Sequence, residues 1–419
     1  MADHRPRDCR VRPGPQGGLV RRILFVDDEP KILEGLQRML RPMRKEWEMV
    51  FANRAEEALR ILADSPFDVV VTDMRMPEMD GAHLLAEVQK QFPGVVRLVL
   101  SGYFEMEMAM RAVPVAHQFL AKPCEPEKLR LAIEHACGFA AILTDEGARK
   151  VVGAVGALPS LPRICAALAE ALQNPEVPIE QIGRIIEQDV GMTAKVLQLV
   201  NSAFFGLLQE ITTVRAAVSY LGLDVLKQLV LSAEIFRTFH PSHRVAGFSI
   251  EQLHEHSQRA AAIAARLPAS KKVSSEAVVA ALLHDAGKLV LAVRLPRKLE
   301  QVLQQARQQG RPVCELEHEV IGTGHAEIGA YLLALWGLPL PIVDAVCRHH
   351  HPAVAAGAPP GLDVLAITHI ADALARVGPD EMVGDDSLLN LDYLTELGVA
   401  DEISGWRELA AQVVAPSET

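Results

Sequence analysis

FDVVVTDMRMPEMDG, Phe67 to Gly81, carries both a strand pattern and an acidic turn. Phe67, Val69, Val70 and Val71 make a short apolar run rich in β-branched residues, the pattern of a strand buried on both faces of a parallel sheet. The run stops at Asp73, and Pro77 and Gly81 mark a loop turning into the next helix. A carboxylate at the C-terminal end of such a strand stands where open α/β sheets place their chemistry. Taken alone, Asp73 reads equally well as a turn former or helix cap, so its company along the chain has to decide.

Working outward, Ile23 to Val26 is another compact apolar run, followed by Asp27, Asp28, Glu29 and Pro30. Met49 to Ala52, Val95 to Leu100 and Gln118 to Ala121 complete five predicted strands. Between them, Ile32, Leu33, Leu36, Met39 and Leu40 fall at helical spacing, as do Ala55, Ala58, Leu59 and Leu62. Leu84, Leu85 and Val88, and finally Leu129, Ala132, Ile133 and Ala136, repeat that spacing. Five strands alternating with helices over residues 21–138 predict a doubly wound parallel sheet of the flavodoxin-like kind. All strand C-termini of such a sheet share one edge. Asp27 and Asp28, Asp73, Ser101 and Lys122 would therefore meet there. Crowded carboxylates repel and resist desolvation without a cation. A hard divalent ion with oxygen ligands, Mg²⁺ above all, answers that need. Lys122 adds positive charge, so an anionic phosphoryl group delivered to Asp73 would find its neutralising partners in place.

The ordered set DD, DxxMPxMDG, SG and KP resembles the receiver domain of bacterial two-component response regulators over the whole of about 20 to 138. The resemblance implies Asp73 as phosphoacceptor. It implies Mg²⁺ bound by Asp28 and Asp73, with Asp27 in support and the backbone carbonyl of Arg75 completing the protein ligands. Ser101 would hydrogen-bond a phosphate oxygen, Lys122 would pair with the acyl phosphate, and Phe119 would be the reporting aromatic. A cis peptide is implied at Lys122–Pro123. Phosphorylation adds about −1.5 to −2 charge. Ser101 would then move toward the new anion, Phe119 would fill the space vacated, and the surface from about Phe104 to Phe119 would change shape. The partner implied upstream is a sensor histidine kinase or phosphotransfer protein. A homodimer is a further expectation, since receivers commonly pair.

Beyond Gly138, Gly147, Gly153 and Gly156 punctuate a stretch read as a linker over 139–156. From Leu158 the pattern is helical throughout. Leu161, Ile164, Leu168 and Leu172 share a face, then Ile179, Ile182, Ile185 and Ile186, then Met192, Val196, Leu199 and Val200. An all-α bundle with short loops is expected. The strings LPSLP, DVGMTAKVLQLVNSAFFG, AVSYLGLDVLKQLVL, ALLHDAGKLVL, HAEIGAYLLALWGLP and AVCRHHHP resemble the HDOD domain, a helical module related to HD-superfamily phosphohydrolases. The domain is placed at 157–378, and the resemblance implies a non-catalytic output acting on an unknown downstream protein.

Nine of the fifteen histidines lie between His254 and His369. His256, His284, Asp285, His325, His349, His350 and Asp372 make a set that facing helices could turn inward on a transition metal such as Zn²⁺, Mn²⁺ or iron. In HD phosphohydrolases such a set activates water against a phosphoester. The alternative function is therefore a phosphorylation-gated, metal-dependent phosphohydrolase of cyclic nucleotides or dinucleotides. The chain departs from HD-GYP enzymes in carrying Ala-Val-Ala-Ala-Gly, not a Gly-Tyr-Pro loop, after HisHisHisPro. It also carries a helical lobe before residue 240 that catalytic HD enzymes lack. The alternative is a core of hydrogen-bonded histidines holding no ion.

The 419 residues allow two or three domains, and 49% hydrophobic with 23% charged is ordinary for a globular protein. A net charge of −11, no basic stripe and no helix-turn-helix argue against DNA as partner. No apolar run is long enough to suggest a membrane span. Six scattered cysteines without a CxxC read as reduced thiols of a cytoplasmic protein. Residues 1–20 read as a disordered extension, and 379–419 as a helical tail in which Trp406 either anchors to the bundle or is exposed for a partner, the packing role being favoured.

Overall fold

The computed structural model describes residues 20–102, 111–122, 124–138, 146–174, 177–201, 211–231, 237–238, 245–354, 361–376 and 389–414. The expected Lys122–Pro123 cis bond, residues 104–110 of the expected switch surface, residues 1–19 of the extension and residues 377–388 lie outside them. Strands β1 (Arg21–Val26), β2 (Trp47–Ala52), β3 (Val69–Asp73), β4 (Val96–Gly102) and β5 (Gln118–Lys122) form one parallel sheet in the order β2-β1-β3-β4-β5. Every residue of β3 is buried, as its unbroken apolar run demands of a central strand covered on both faces. Helices Pro30–Met39, Ala55–Asp64, Gly81–Gln91 and Pro126–Gly138 connect and cover it.

The bend after β3 depends on Gly81. A Cβ there would stand 2.2 Å from the backbone oxygen of Asp73, so only glycine lets the helix start so close to the strand end. The side chain of Asp80 caps that helix by accepting a hydrogen bond from the backbone N–H of His83.

The stretch read as a linker contains the helix Glu146–Gly153, with Val152 and Val155 buried. Its glycines serve close approach. A Cβ at Gly153 or Gly156 would lie 2.0 Å from the carbonyl oxygen of Pro93 or Pro114 respectively, so the chain passes tightly against the sheet domain.

Among the described residues the remainder is helices and connecting turns apart from one parallel pair of two-residue strands, Pro159–Ser160 with Arg237–Thr238, which the periodicity did not suggest. Asp189 ties the start of this unit together. Its carboxylate accepts hydrogen bonds from Ser160 Oγ, the Leu161 N–H and the Met192 N–H, which caps the helix Val190–Asn201. Gly222, at φ 76°, kinks the helix Val214–Leu231. Helices Ile250–Ala264, Lys271–Leu283, Ala286–Arg294, His325–Leu335, Leu340–Arg348 and Val364–Leu374 pack around the histidines, with Ile403–Val414 laid on the first of them and Trp406 buried. One continuous cluster of buried apolar residues runs from the sheet into the bundle. Cys124, Cys137, Cys165, Cys314 and Cys347 are free thiols.

Candidate functional sites

The strand ends bring the predicted residues to one edge. Asp27 follows β1 directly, Asp73 ends β3, Ser101 is the penultimate residue of β4, and Lys122 ends β5. The Lys122 ammonium donates to Asp27 Oδ2 at 2.7 Å and also to Asp73 Oδ1. The backbone N–H of Arg75 donates to Asp73 Oδ2 at 2.9 Å, and that of Glu29 to Asp27 Oδ1 at 3.0 Å. Asp28 is half-buried beside Asp27, while Ser101 and Phe119 are buried.

Burial raises the Asp73 carboxyl above the usual range, the Lys122 contacts oppose that without cancelling it, and the like charge of Asp27 adds to it. Lys122 meets two carboxylates, which together outweigh its own burial and raise its pKa. The notch thus holds more negative charge than its single ammonium offsets. Its donors are hard oxygens, a set that fits Mg²⁺.

The bundle collects all seven predicted histidines and carboxylates. His256 Nε2 is 3.2 Å from His284 Nε2 and 3.0 Å from Asp372 Oδ1. His350 Nε2 is 2.9 Å from His325 Nε2. Asp285 stands between the two groups, its Oδ2 3.5 Å from His284 Nε2 and its Oδ1 3.2 Å from His325 Nε2. His256, His284 and Asp372 offer ligand atoms close enough for one ion; His325, His349 and His350 form a second such group, and His284, Asp285 and His349 overlap both.

Backbone and side-chain acceptors set the imidazole orientations. Nδ1 of His284 lies 2.7 Å from the Ala281 carbonyl and Nδ1 of His349 lies 2.8 Å from the Val346 carbonyl, so protons there leave each Nε2 lone pair facing inward. His349 Nε2 is buried and has no hydrogen-bond partner among the described residues. A core of merely structural histidines would not leave inward atoms orphaned, so the donor set fits a transition ion.

Two residues of this site, Glu317 and Arg376, were not read from the sequence. Glu317, fully buried, accepts from His325 Nδ1 at 2.6 Å and from the His325 N–H at 2.8 Å. Lys288 Nζ donates to Asp285 Oδ2 at 2.6 Å, and Arg376 pairs with Asp372 at 3.3 Å. The spacing of Lys288 one turn beyond Asp285 was legible; Glu317 comes from another helix, so no local pattern announces it. Burial pulls His325 down, but Glu317 and Asp285 outweigh it and lift its pKa to about 9. His318 and His351 lie at the surface.

Residues 23–134 match the response regulator receiver domain and residues 158–352 match the HDOD domain. The class of protein defined by fold and sites is therefore that of response regulators. This chain belongs to it with a receiver domain followed by an HDOD domain. An uncharacterised protein of Treponema pallidum (strain Nichols) is 28% identical over 211 residues, 50% of this chain and 40% of its own. The transcriptional regulatory protein GlrR of Escherichia coli (strain K12) is 36% identical over 131 residues, 31% of this chain and 29% of its own. The chain thus spans well under half the length of these curated relatives. The crystal structure of the MmoQ response regulator from Methylococcus capsulatus str. Bath aligns with a TM-score of 0.48 at 24% identity, covering 62% of this chain and 98% of that one. Among the described residues no helix is long and apolar enough to cross a membrane.

Proposed function

We propose that Asp73 is the phosphoacceptor of a phosphorelay and that its charge state controls the HDOD domain, which acts on another protein by contact. The observation that carries this reading is the meeting of Asp73, Asp27 and Lys122 at the strand ends with Ser101 on the neighbouring strand. The reaction asks little of the protein beyond placement. An Asp73 carboxylate oxygen attacks the phosphorus of a phosphohistidine or acyl-phosphate donor, and the bond from phosphorus to the donor breaks. Lys122, already held at Asp73, pairs with the new phosphoryl oxygens, and Ser101 is placed to donate to one of them. Asp27, Asp28, Asp73 and the Arg75 carbonyl would hold Mg²⁺, which supplies positive charge to the phosphoryl oxygens. The donor is a sensor histidine kinase or phosphotransfer protein in the cytoplasm. Radiolabelled acetyl phosphate with Mg²⁺ should label the wild-type chain and leave Asp73→Asn unlabelled. Equal labelling of the two would reject the assignment.

The inward, orphaned His349 Nε2 favours a second reading of the output domain. In it, His256, His284 and Asp372 would hold one transition ion and His325, His349 and His350 another, with Asp285 between the groups. Such ions supply an activated water for attack on a phosphoester, which makes a phosphodiesterase of cyclic nucleotides or dinucleotides the alternative output. Elemental analysis of purified protein, with Asp285→Ala as control, separates the two: bound metal and turnover lost together in the variant point to the enzyme.

A further inference from the structure

Two rigid elements in series join the receiver notch to the histidine cluster. The first is β5. At one end Lys122 holds Asp73; at the other Gln118, buried, donates from Nε2 to the carbonyl oxygen of Leu335 at 3.2 Å. Phe119 lies between these contacts, inside the core. The second is the helix His325–Leu335, which ends at that carbonyl and begins with His325 of the cluster. Just past the helix, Gly337 adopts φ 75° and presses on the Gln118 side chain; a Cβ there would lie 3.2 Å from Gln118 Cδ.

Other contacts stiffen the same junction. Gln198 Nε2 donates to the carbonyl of His117, the residue before β5, at 2.9 Å. Lys195 Nζ donates to the carbonyls of Val113 and Gly156 at 2.8 Å each and lies 5.2 Å from the centroid of the Trp336 ring. At the far end the helix start is equally confined. A Cβ on Gly287, two residues after Asp285, would stand 1.9 Å from the His325 carbonyl oxygen.

We propose that the helix His325–Leu335 couples the charge state of Asp73 to metal occupancy of the histidine cluster, so that each changes the affinity of the other. The proposal rests on both readings above, the phosphoacceptor and the metal centre. The helix is eleven residues long, about 16 Å, and nearly all of it is buried. A close-packed interior passes a displacement on rather than absorbing it. A movement of β5 that re-seats Phe119 therefore cannot leave Leu335, and through the helix His325, where they are. Linkage makes the effect reciprocal.

The test uses the full chain in excess Mg²⁺, titrated with Co²⁺ and followed by visible absorption, with and without beryllofluoride as the phosphoryl mimic. Beryllofluoride binding is measured separately by calorimetry. In the wild type the Co²⁺ Kd should differ by about five-fold or more between the two conditions. Co²⁺ should shift the beryllofluoride Kd by the same factor, a check that needs no variant. Gln118→Met keeps the volume and removes the donor. It should retain the Co²⁺ spectrum and bring both ratios to near one. Ratios near one in the wild type, with both ligands bound, overturn the coupling and leave the metal centre standing. An undiminished ratio in Gln118→Met overturns this route. A wild type without a Co²⁺ spectrum, or a spectrum unchanged by His284→Ala, overturns the metal reading and the coupling with it. A wild type that does not bind beryllofluoride overturns the receiver reading and the coupling together.

Discussion

Gly81 and Lys195 show how much single residues decide here. Any side chain at Gly81 would meet the Asp73 backbone, so Gly81→Ala should cost about 1–3 kcal/mol through forced displacement. It should also slow labelling of Asp73, and equal melting temperatures for variant and wild type would contradict this. Lys195 is buried, its ammonium donating to two carbonyls, and burial pulls its pKa down to about 7. The unfolded chain keeps an ordinary, higher lysine pKa, so above pH 7 it binds more protons than the folded chain. Stability should therefore rise with pH from about 7 toward 9, by up to about 1.4 kcal/mol per pH unit from this group. Melting curves across that range should show the rise in the wild type and a flatter profile in Lys195→Met. The receiver residues were legible because each closes its own short motif at a strand end. Lys195 and Gln198 were not, because a polar residue inside a helical pattern normally signals the solvent face. Here a second domain covers that face.

At the scale of elements, the strands and most helices followed from periodicity, since each buries one apolar face against the next. The helix Glu146–Gly153 escaped because its glycines suggested flexibility, whereas Gly153 and Gly156 permit close passage over Pro93 and Pro114. The pair Pro159–Ser160 with Arg237–Thr238 is too short to leave a pattern. The histidine cluster was legible as a residue set, but Glu317 behind His325 was not, because it stands on the preceding helix and only the turn between the two helices brings it there. If the cluster holds an ion, Mn²⁺ at about a hundred times its Kd should stabilise the fold by about 2.7 kcal/mol. Thermal melts should show a shift in the wild type that is largely lost in Asp285→Ala. Equal shifts in both would place the ion elsewhere. Gly287→Ala should force apart a pair of helices whose backbones touch and lower the melting temperature, along with any Mn²⁺-dependent shift.

Across the whole molecule, the receiver and the HDOD domain share a core, and the edge strand β5 is covered by the bundle instead of by solvent. Covering an edge strand removes a surface through which receivers could pair, and it makes the output domain the first element to meet any change in β5. Charging Asp73 should be felt inside the bundle. Hydrogen exchange of residues 190–201 and 325–335, compared with and without beryllofluoride and Mg²⁺, reads that out. Protection should change in both segments of the wild type and in neither segment of Asp73→Asn; unchanged protection in a wild type with beryllofluoride bound would mean that the bundle does not sense Asp73.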